Sequence, residues 1–254
     1  MDSDPASLRG QIDEATGRLA TTAGNLTDGQ AREPSRLPGW SRGHVLTHLA
    51  RNADGLRNLL IWARTGVPTP QYPSQEARNA GIEAGAGRPA AELADDLRQS
   101  AAAFAREAAG LPAESWNATV GGMNAPGHPA WFALFRRLGE VEIHHVDLGA
   151  GYGPPDWPLP FVADQLELVM GQFAGRDDVP PCLLELSDTG QRLEIGPPAA
   201  PGEARAGEVT VRGPGGWMLA WLIGRDPGRG LTVRTGQEPA VGDGALPPKL
   251  PNWG

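Results

Sequence analysis

The chain has 254 residues, a formal net charge of −8 and a single cysteine, Cys182. That length fits one large domain or two small ones and is enough to bury a sizeable core. The acidic balance argues against a nucleic-acid or anionic-membrane partner, and one cysteine excludes both an internal disulfide and a multi-cysteine zinc site.

In chain order, "MDSDPASLRG" has neither a basic region nor an apolar run of the secretory kind. No apolar stretch approaches membrane-spanning length. A cytoplasmic protein is expected. "SLRGQIDEATGRLATTAGNL" carries apolar residues at helical spacing from Leu8 to Leu26. The next segment, "LPGWSRGHVLTHLARNADGLRNLLIWARTG", offers Ser41 as an N-cap, Trp40 as a staple residue and Gly66 as a C-terminal stop. "VPTPQYPSQEARNAG" is a Pro-rich loop with a short helix inside. "PAAELADDLRQSAAAFAREAAGL" is a third long helix, with Pro89 at its start and Gly110 at its end. A Gly/Pro loop leads to the fourth, "WFALFRRLGEVEIHHVDLGAGYG". Four long helices joined by loops predict a four-helix bundle.

"GPPDWPLP" then breaks the pattern. One amphipathic helix follows, "FVADQLELVMGQF". The runs "CLLELSD", "QRLEIG", "EVTVRG" and "LTVRTG" have strand character, with a helix, "GPGGWMLAWLIGRD", between the last two. The expectation is an α+β chain: a helix bundle over residues 1–155, then a small α+β domain with a mainly antiparallel sheet over 156–254. The last residues, "ALPPKLPNWG", read as an extended arm.

Four of the five histidines fall in two short helical segments. On a helix, residues at i and i+4 share a face. That puts Glu140 with His144, and Asp147 three residues further on, while Glu142 and His145 point elsewhere. Glu plus His is two ligands, and a catalytic zinc-type site takes three protein ligands with one position open. The second long helix offers His44 and His48, again at i, i+4. His48 lies beside Val45, Leu46 and Leu49, so it is the better third ligand; His128, in a loop, is a weaker one. The competing reading is a satisfied polar network or a wet helix face.

The two segments "LPGWSRGHVLTHLARNADGLRNLLIWARTG" and "RRLGEVEIHHVDLGAGY", some ninety residues apart, resemble the mycothiol-dependent maleylpyruvate isomerase family of the DinB-like metal-binding bundles. "YPSQEARNAGIEAGAGRPAAEL" and "WMLAWLIGRDPGRGLTV" are similar to that family too. The resemblance implies a DinB-like bundle with a divalent metal held by His48, Glu140 and His144, zinc being the expected ion. It implies cis-trans isomerisation of maleylpyruvate to fumarylpyruvate with mycothiol as the thiol cofactor. The partners are then a small-molecule substrate and a low-molecular-weight thiol, in a monomer or small homo-oligomer.

The chemistry is consistent with that resemblance. A thiolate adds to the conjugated alkene, the new single bond rotates, and elimination restores the alkene in trans form. Cys182 opens a strand-like run and reads as a packed apolar residue, so an external thiol is required. Asp147 is a candidate orienting partner for a ligating imidazole or a proton carrier, against a solvated charge or helix-end cap. The substrate is a dianion, and Arg225 is the first choice to pair with a carboxylate, since a matching arginine is functional in the family. Its alternative is a cation complementing a helix end. Arg78 and Arg51 are weaker candidates. Three other functions compete: a mycothiol S-transferase on the same bundle, a metal-free binding or regulatory module, and a non-haem iron oxygenase using the same two-His, one-carboxylate set.

Overall fold

The computed structural model describes residues 4–121, 127–197, 209–235 and 246–251. Its contacts divide the chain between Tyr152 and Gly153 into two compact units. The N-terminal unit contains α1 (Pro5–Gly24), α2 (Asp28–Arg32), α3 (Arg42–Thr65), α4 (Gln75–Ala86), α5 (Ala90–Ala109), a two-stranded ribbon of β1 (Thr119–Val120) and β2 (His128–Pro129), and α6 (Phe132–Asp147). The four long helices form a closed square. α1 packs on α5 and α6, and α3 packs on the same two from the other side. Apolar side chains at helical spacing fill the centre: Leu8, Ile12 and Leu19 from α1, Leu49, Leu56 and Leu60 from α3, Leu97 and Phe104 from α5, and Leu134, Leu138 and Val141 from α6.

The helix starts are written in side-chain caps. Asp4, Thr27, Ser41 and Ser74 each accept backbone N–H bonds from the first turn that follows. At α3 the box is completed by a histidine: Ser41 N donates to His44 Nδ1 at 3.2 Å. Gly66 ends α3 with φ +72°, a conformation that favours glycine. Trp40, expected as an apolar staple, does something more specific. Its ring lies 6.1 Å from that of His44 and 5.6 Å from that of His48.

Two glycines of α3 set where the following segment lies. A Cβ on Gly43 would fall 2.2 Å from the carbonyl oxygen of Ala86, at the end of α4. A Cβ on Gly55 would meet both the backbone and the Cγ of Gln71 at 2.8 Å. The segment from Gln71 to Ala86 is therefore laid tightly along α3, with no room for a methyl group.

The C-terminal unit holds α7 (Leu159–Phe173), β3 (Cys182–Leu186), β4 (Arg192–Ile195), β5 (Val209–Gly213), α8 (Gly215–Leu222) and β6 (Thr232–Thr235). Its sheet runs in the order β4-β3-β5-β6. The outer pairs are antiparallel and the central pair, β3 with β5, is parallel. The mainly antiparallel sheet expected from the sequence thus has a parallel centre. Cys182 sits at the start of β3 with no exposed surface, opposite Ile195 and Val209. The tail from Leu246 to Pro251 runs without helix or strand, and Trp221 Nε1 donates to the Pro248 carbonyl at 3.1 Å. Ala245 and residues 252–254 lie outside the described residues. No helix among the described residues is long and apolar enough to cross a membrane.

The packing at Gly43 gives a test with a sign. Inside a helix, Gly to Ala ordinarily gains roughly 0.5–1 kcal/mol. Gly17→Ala, on the exposed side of α1 with open space around the new methyl, should show that gain in urea unfolding. Gly43→Ala should instead lose about 1–3 kcal/mol, because a backbone carbonyl must move to admit it. A stabilised Gly43→Ala protein would show that α4 is not held by this contact.

Candidate metal centre

The centre is built on the one open stripe of α6. Nearly every residue of that helix is buried, and the partly exposed ones recur at i+4: Phe132, Arg136, Glu140 and His144. This is the helical period made visible by burial. Glu140 and His144 face α3, where His48 in the second turn is only 3% exposed. Glu140 Oε2 lies 2.9 Å from His48 Nε2 and 3.3 Å from His144 Nε2. The two imidazole rings meet edge to face with centroids 4.6 Å apart.

Electrostatics tie the three together. Burial alone would raise the Glu140 carboxyl. Hydrogen bonds and charge from His144 and His48 outweigh it and hold the group well below the usual carboxylate range. Burial works against charge on His144, but Asp147 and Glu140 override it and push the imidazole up to about 9. His48 moves the other way. Burial is the main cause, and the neighbouring His144 and Arg78 charges add to it.

The donor set fits a divalent cation. One ligand atom from each of His48, Glu140 and His144 lies within 4.8 Å of the other two. Bonds of about 2.1 Å to an ion of tetrahedral preference place ligand atoms roughly 3.4 Å apart, so small side-chain adjustments suffice. Asp147 completes the arrangement. It is fully buried, and His144 Nδ1 donates to its Oδ2 at 2.8 Å. An imidazole held that way keeps the Nε2 lone pair on the side of Glu140, which is how carboxylates orient metal-ligating histidines. Full burial favours this orienting role over that of a proton carrier to solvent.

The other sequence candidates separate. His44 caps α3 and contacts Glu83 at 3.4 Å. His128 sits in β2 with its ring against Phe132. Glu142 and His145 point to the opposite face of α6, as the spacing predicts. There Arg18 Nη2 and the Tyr152 hydroxyl donate to Glu142 at 2.6 Å each, and the His145 ring stacks on Tyr152 at 3.9 Å. Arg51 is paired with Asp54 and Asp96. Arg225 follows α8 in the C-terminal unit, with its Nη1 3.4 Å from the Ile223 carbonyl. It lines a cavity of about 590 Å³ together with Trp221 and Lys249. Arg78, a weaker candidate by sequence, touches the triad directly: its Nη2 donates to His48 Nδ1 at 3.2 Å. Arg136 and Arg137 were missed. The signal was present, because Arg136 stands four residues before Glu140 on the same stripe. Arg137 is wholly buried, donating to the Leu49 carbonyl and Asn52 Oδ1 at 2.9 Å, and burial lowers its guanidinium to about 10.

Comparison with known proteins follows this geometry. Residues 12–149, which contain all three donors, match the family model described as the mycothiol maleylpyruvate isomerase N-terminal domain. The chain belongs to the mycothiol-dependent maleylpyruvate isomerase family. A crystal structure of the mycothiol-dependent maleylpyruvate isomerase is 29% identical to it, with a TM-score of 0.80 over 98% of this chain and 97% of that one. A second structure, of a histidine-to-alanine mutant of a mycothiol-dependent maleylpyruvate isomerase, matches at 28% identity with the same TM-score and coverage. A search among curated proteins finds no significant match. The family's N-terminal domain model thus spans the bundle, and the similarity of fold to these isomerases extends through the C-terminal unit as well.

A metal held by these atoms predicts about one equivalent of divalent ion per chain, zinc by the donor set. Elemental analysis of His48→Ala, Glu140→Ala and His144→Ala should show most of it lost, with helical circular dichroism largely kept. Full metal content in all three variants would reject the assignment.

Proposed function

We propose that this chain is a mycothiol-dependent isomerase that converts maleylpyruvate to fumarylpyruvate. The observation that carries the reading is the coincidence of a full-length likeness to mycothiol-dependent maleylpyruvate isomerases with a two-histidine, one-carboxylate donor set inside the matched domain. The lone cysteine supports it: Cys182 is buried in β3, so the chain presents no thiol nucleophile of its own and an external one is needed.

The reaction requires a temporary single bond. The thiolate sulfur of mycothiol forms a C–S bond to the alkene, and the electron pair moves to the keto oxygen as an enolate. The former double bond rotates. The enolate then re-forms the ketone and expels the thiolate, so the thiol is regenerated. A divalent ion bound by His48, Glu140 and His144 would supply Lewis acidity, which lowers the thiol pKa or takes up charge at the keto oxygen. The residues around it have their own tasks. Asp147 fixes the His144 ring, and Glu140 brings a negative charge that keeps the donor set compact. Arg225, by resemblance to the family, pairs with a substrate carboxylate.

The assay is maleylpyruvate with purified protein, with mycothiol, with glutathione and with no thiol, followed by proton resonance of the alkene. Turnover with mycothiol far above the other two is expected. No turnover with mycothiol on metal-loaded protein would reject the isomerase reading. In the same assay Cys182→Ser should keep substantial activity, at a packing cost of about 1 kcal/mol from the buried hydroxyl. An inactive but folded Cys182→Ser protein would point back to an internal nucleophile.

Arg225→Ala should retain its metal and lose about 1.5–4 kcal/mol of transition-state stabilisation, the range for charge-assisted pairs and single electrostatic donors. Arg225→Lys should recover part of it, because the planar fork is lost. Wild-type kcat/KM in Arg225→Ala would reduce the residue to a helix-end cation.

A further inference from the structure

The metal centre neighbours a chain of polar side chains that includes two arginines with no acidic partner among the described residues. Arg136 Nη2 donates to Gln71 Oε1 at 3.1 Å. Gln71 is followed by Tyr72, whose ring lies 6.0 Å from the Arg78 guanidinium carbon. Arg78 reaches His48, His48 reaches Glu140, and Glu140 returns to Arg136 one helical turn back, a rise of about 6 Å. Among the described residues, Arg78 contacts only His48, the Asn79 side-chain oxygen and Tyr72, and Arg136 only Gln71. Neither has a carboxylate of a described residue within ion-pair distance. Arg18, Arg42, Arg51, Arg64, Arg88 and Arg98 in the same unit each hold one; what sets Arg78 and Arg136 apart from the other unpaired arginines is their place, one bonded to His48 and the other one helical turn from Glu140.

In a chain of net charge −8, two half-buried guanidiniums without a described carboxylate partner beside the one half-buried carboxylate of the donor set concentrate positive charge at one place. The Tyr72 hydroxyl is buried beside Gln71 and Arg78. It is a further donor of the kind a carboxylate accepts. The contact on His48 also has a chemical consequence. An imidazole that gives its Nε2 lone pair to a metal carries its proton on Nδ1. It then offers Arg78 no acceptor, and the guanidinium is left to an anion.

We propose that Arg78 and Arg136 form a carboxylate receptor next to the metal centre, which takes one end of a dianionic cis-dicarboxylate substrate. This deepens the isomerase reading and rests on it for the identity of the substrate. Arginine is suited to the task because its fork pairs with a carboxylate through two parallel bonds.

The test is calorimetric binding of maleate to metal-loaded protein without thiol, beside metal analysis and steady-state kinetics with maleylpyruvate and mycothiol. Arg78→Gln and Arg136→Gln should each weaken maleate at least about tenfold, and the double variant further, with metal content unchanged. Their kinetic loss should lie mainly in KM, and Arg→Lys at either position should restore part of both. Arg98→Gln, on the exposed side of α5, should behave as wild type and so exclude a general effect of net charge. Maleate affinity unchanged in the metal-loaded double variant would overturn the receptor. The two readings fail separately. Turnover in the wild type with an unaltered KM in both arginine variants sinks the receptor and leaves the isomerase standing. Arginine-dependent maleate binding without turnover sinks the isomerase and leaves the receptor.

Discussion

A half-buried carboxylate held between two imidazoles organises the N-terminal unit. Glu140 lies within hydrogen-bonding or ion-pair distance of both His48 and His144, and an isolated carboxylate in such a place would be protonated rather than charged. The histidines keep it charged, and Asp147 holds one of them in place. The partners come from two different helices, so the cluster is satisfied only when α3 and α6 are docked at the observed register. A satisfied buried network of this kind constrains the packing around it more sharply than apolar contact alone.

That register is fixed by small residues and caps rather than by large ones. Gly43 and Gly55 let the segment from Gln71 to Ala86 lie directly on α3. This brings Tyr72 and Arg78 to the same end of the bundle as His48. The Ser41–His44 box fixes the first turn of α3, and His48 follows one turn later on the face that Trp40 covers. On the far side of α6, Glu142 and His145 pair with α1. The two faces of one short helix therefore do different work. One anchors the helix to α1 and the other holds the donors against His48 of α3.

The charge arrangement follows the same division. Six of the fourteen arginines of the bundle pair with a carboxylate among the described residues, and where such pairs are exposed they contribute little to stability. The arginines nearest the donor set are arranged otherwise. Arg137 is wholly buried with neutral oxygen partners, and Arg78 and Arg136 contact imidazole and amide groups. An acidic protein thus carries guanidinium groups without described carboxylate partners beside its donor set, where a low local dielectric strengthens any charge pairing.

The sequence by itself determined the four long helices, their caps and stops, and the i, i+4 stripe carrying Glu140, His144 and Asp147. These are local properties, and helical period and N-cap chemistry act within a few residues. It also separated the strand-bearing C-terminal segment from the bundle by the break at "GPPDWPLP". It could place His48 as the partner of the stripe because an apolar neighbourhood and a resemblance agreed. Only the tertiary structure decided the rest. The parallel pairing of β3 with β5 depends on which strands meet after a long connection, which strand-like composition does not encode. In the sequence Arg78 reads as a weak candidate and Arg136 as none, because a lone arginine on a helix reads as a solvated charge. Whether it has an acidic partner is settled by side chains dozens of residues away. Gln71 joins Arg136 across 65 positions, and His48 joins Arg78 across 30. Such neighbours are created by the docking of α4 onto α3, and that docking turns on the missing methyl groups of two glycines.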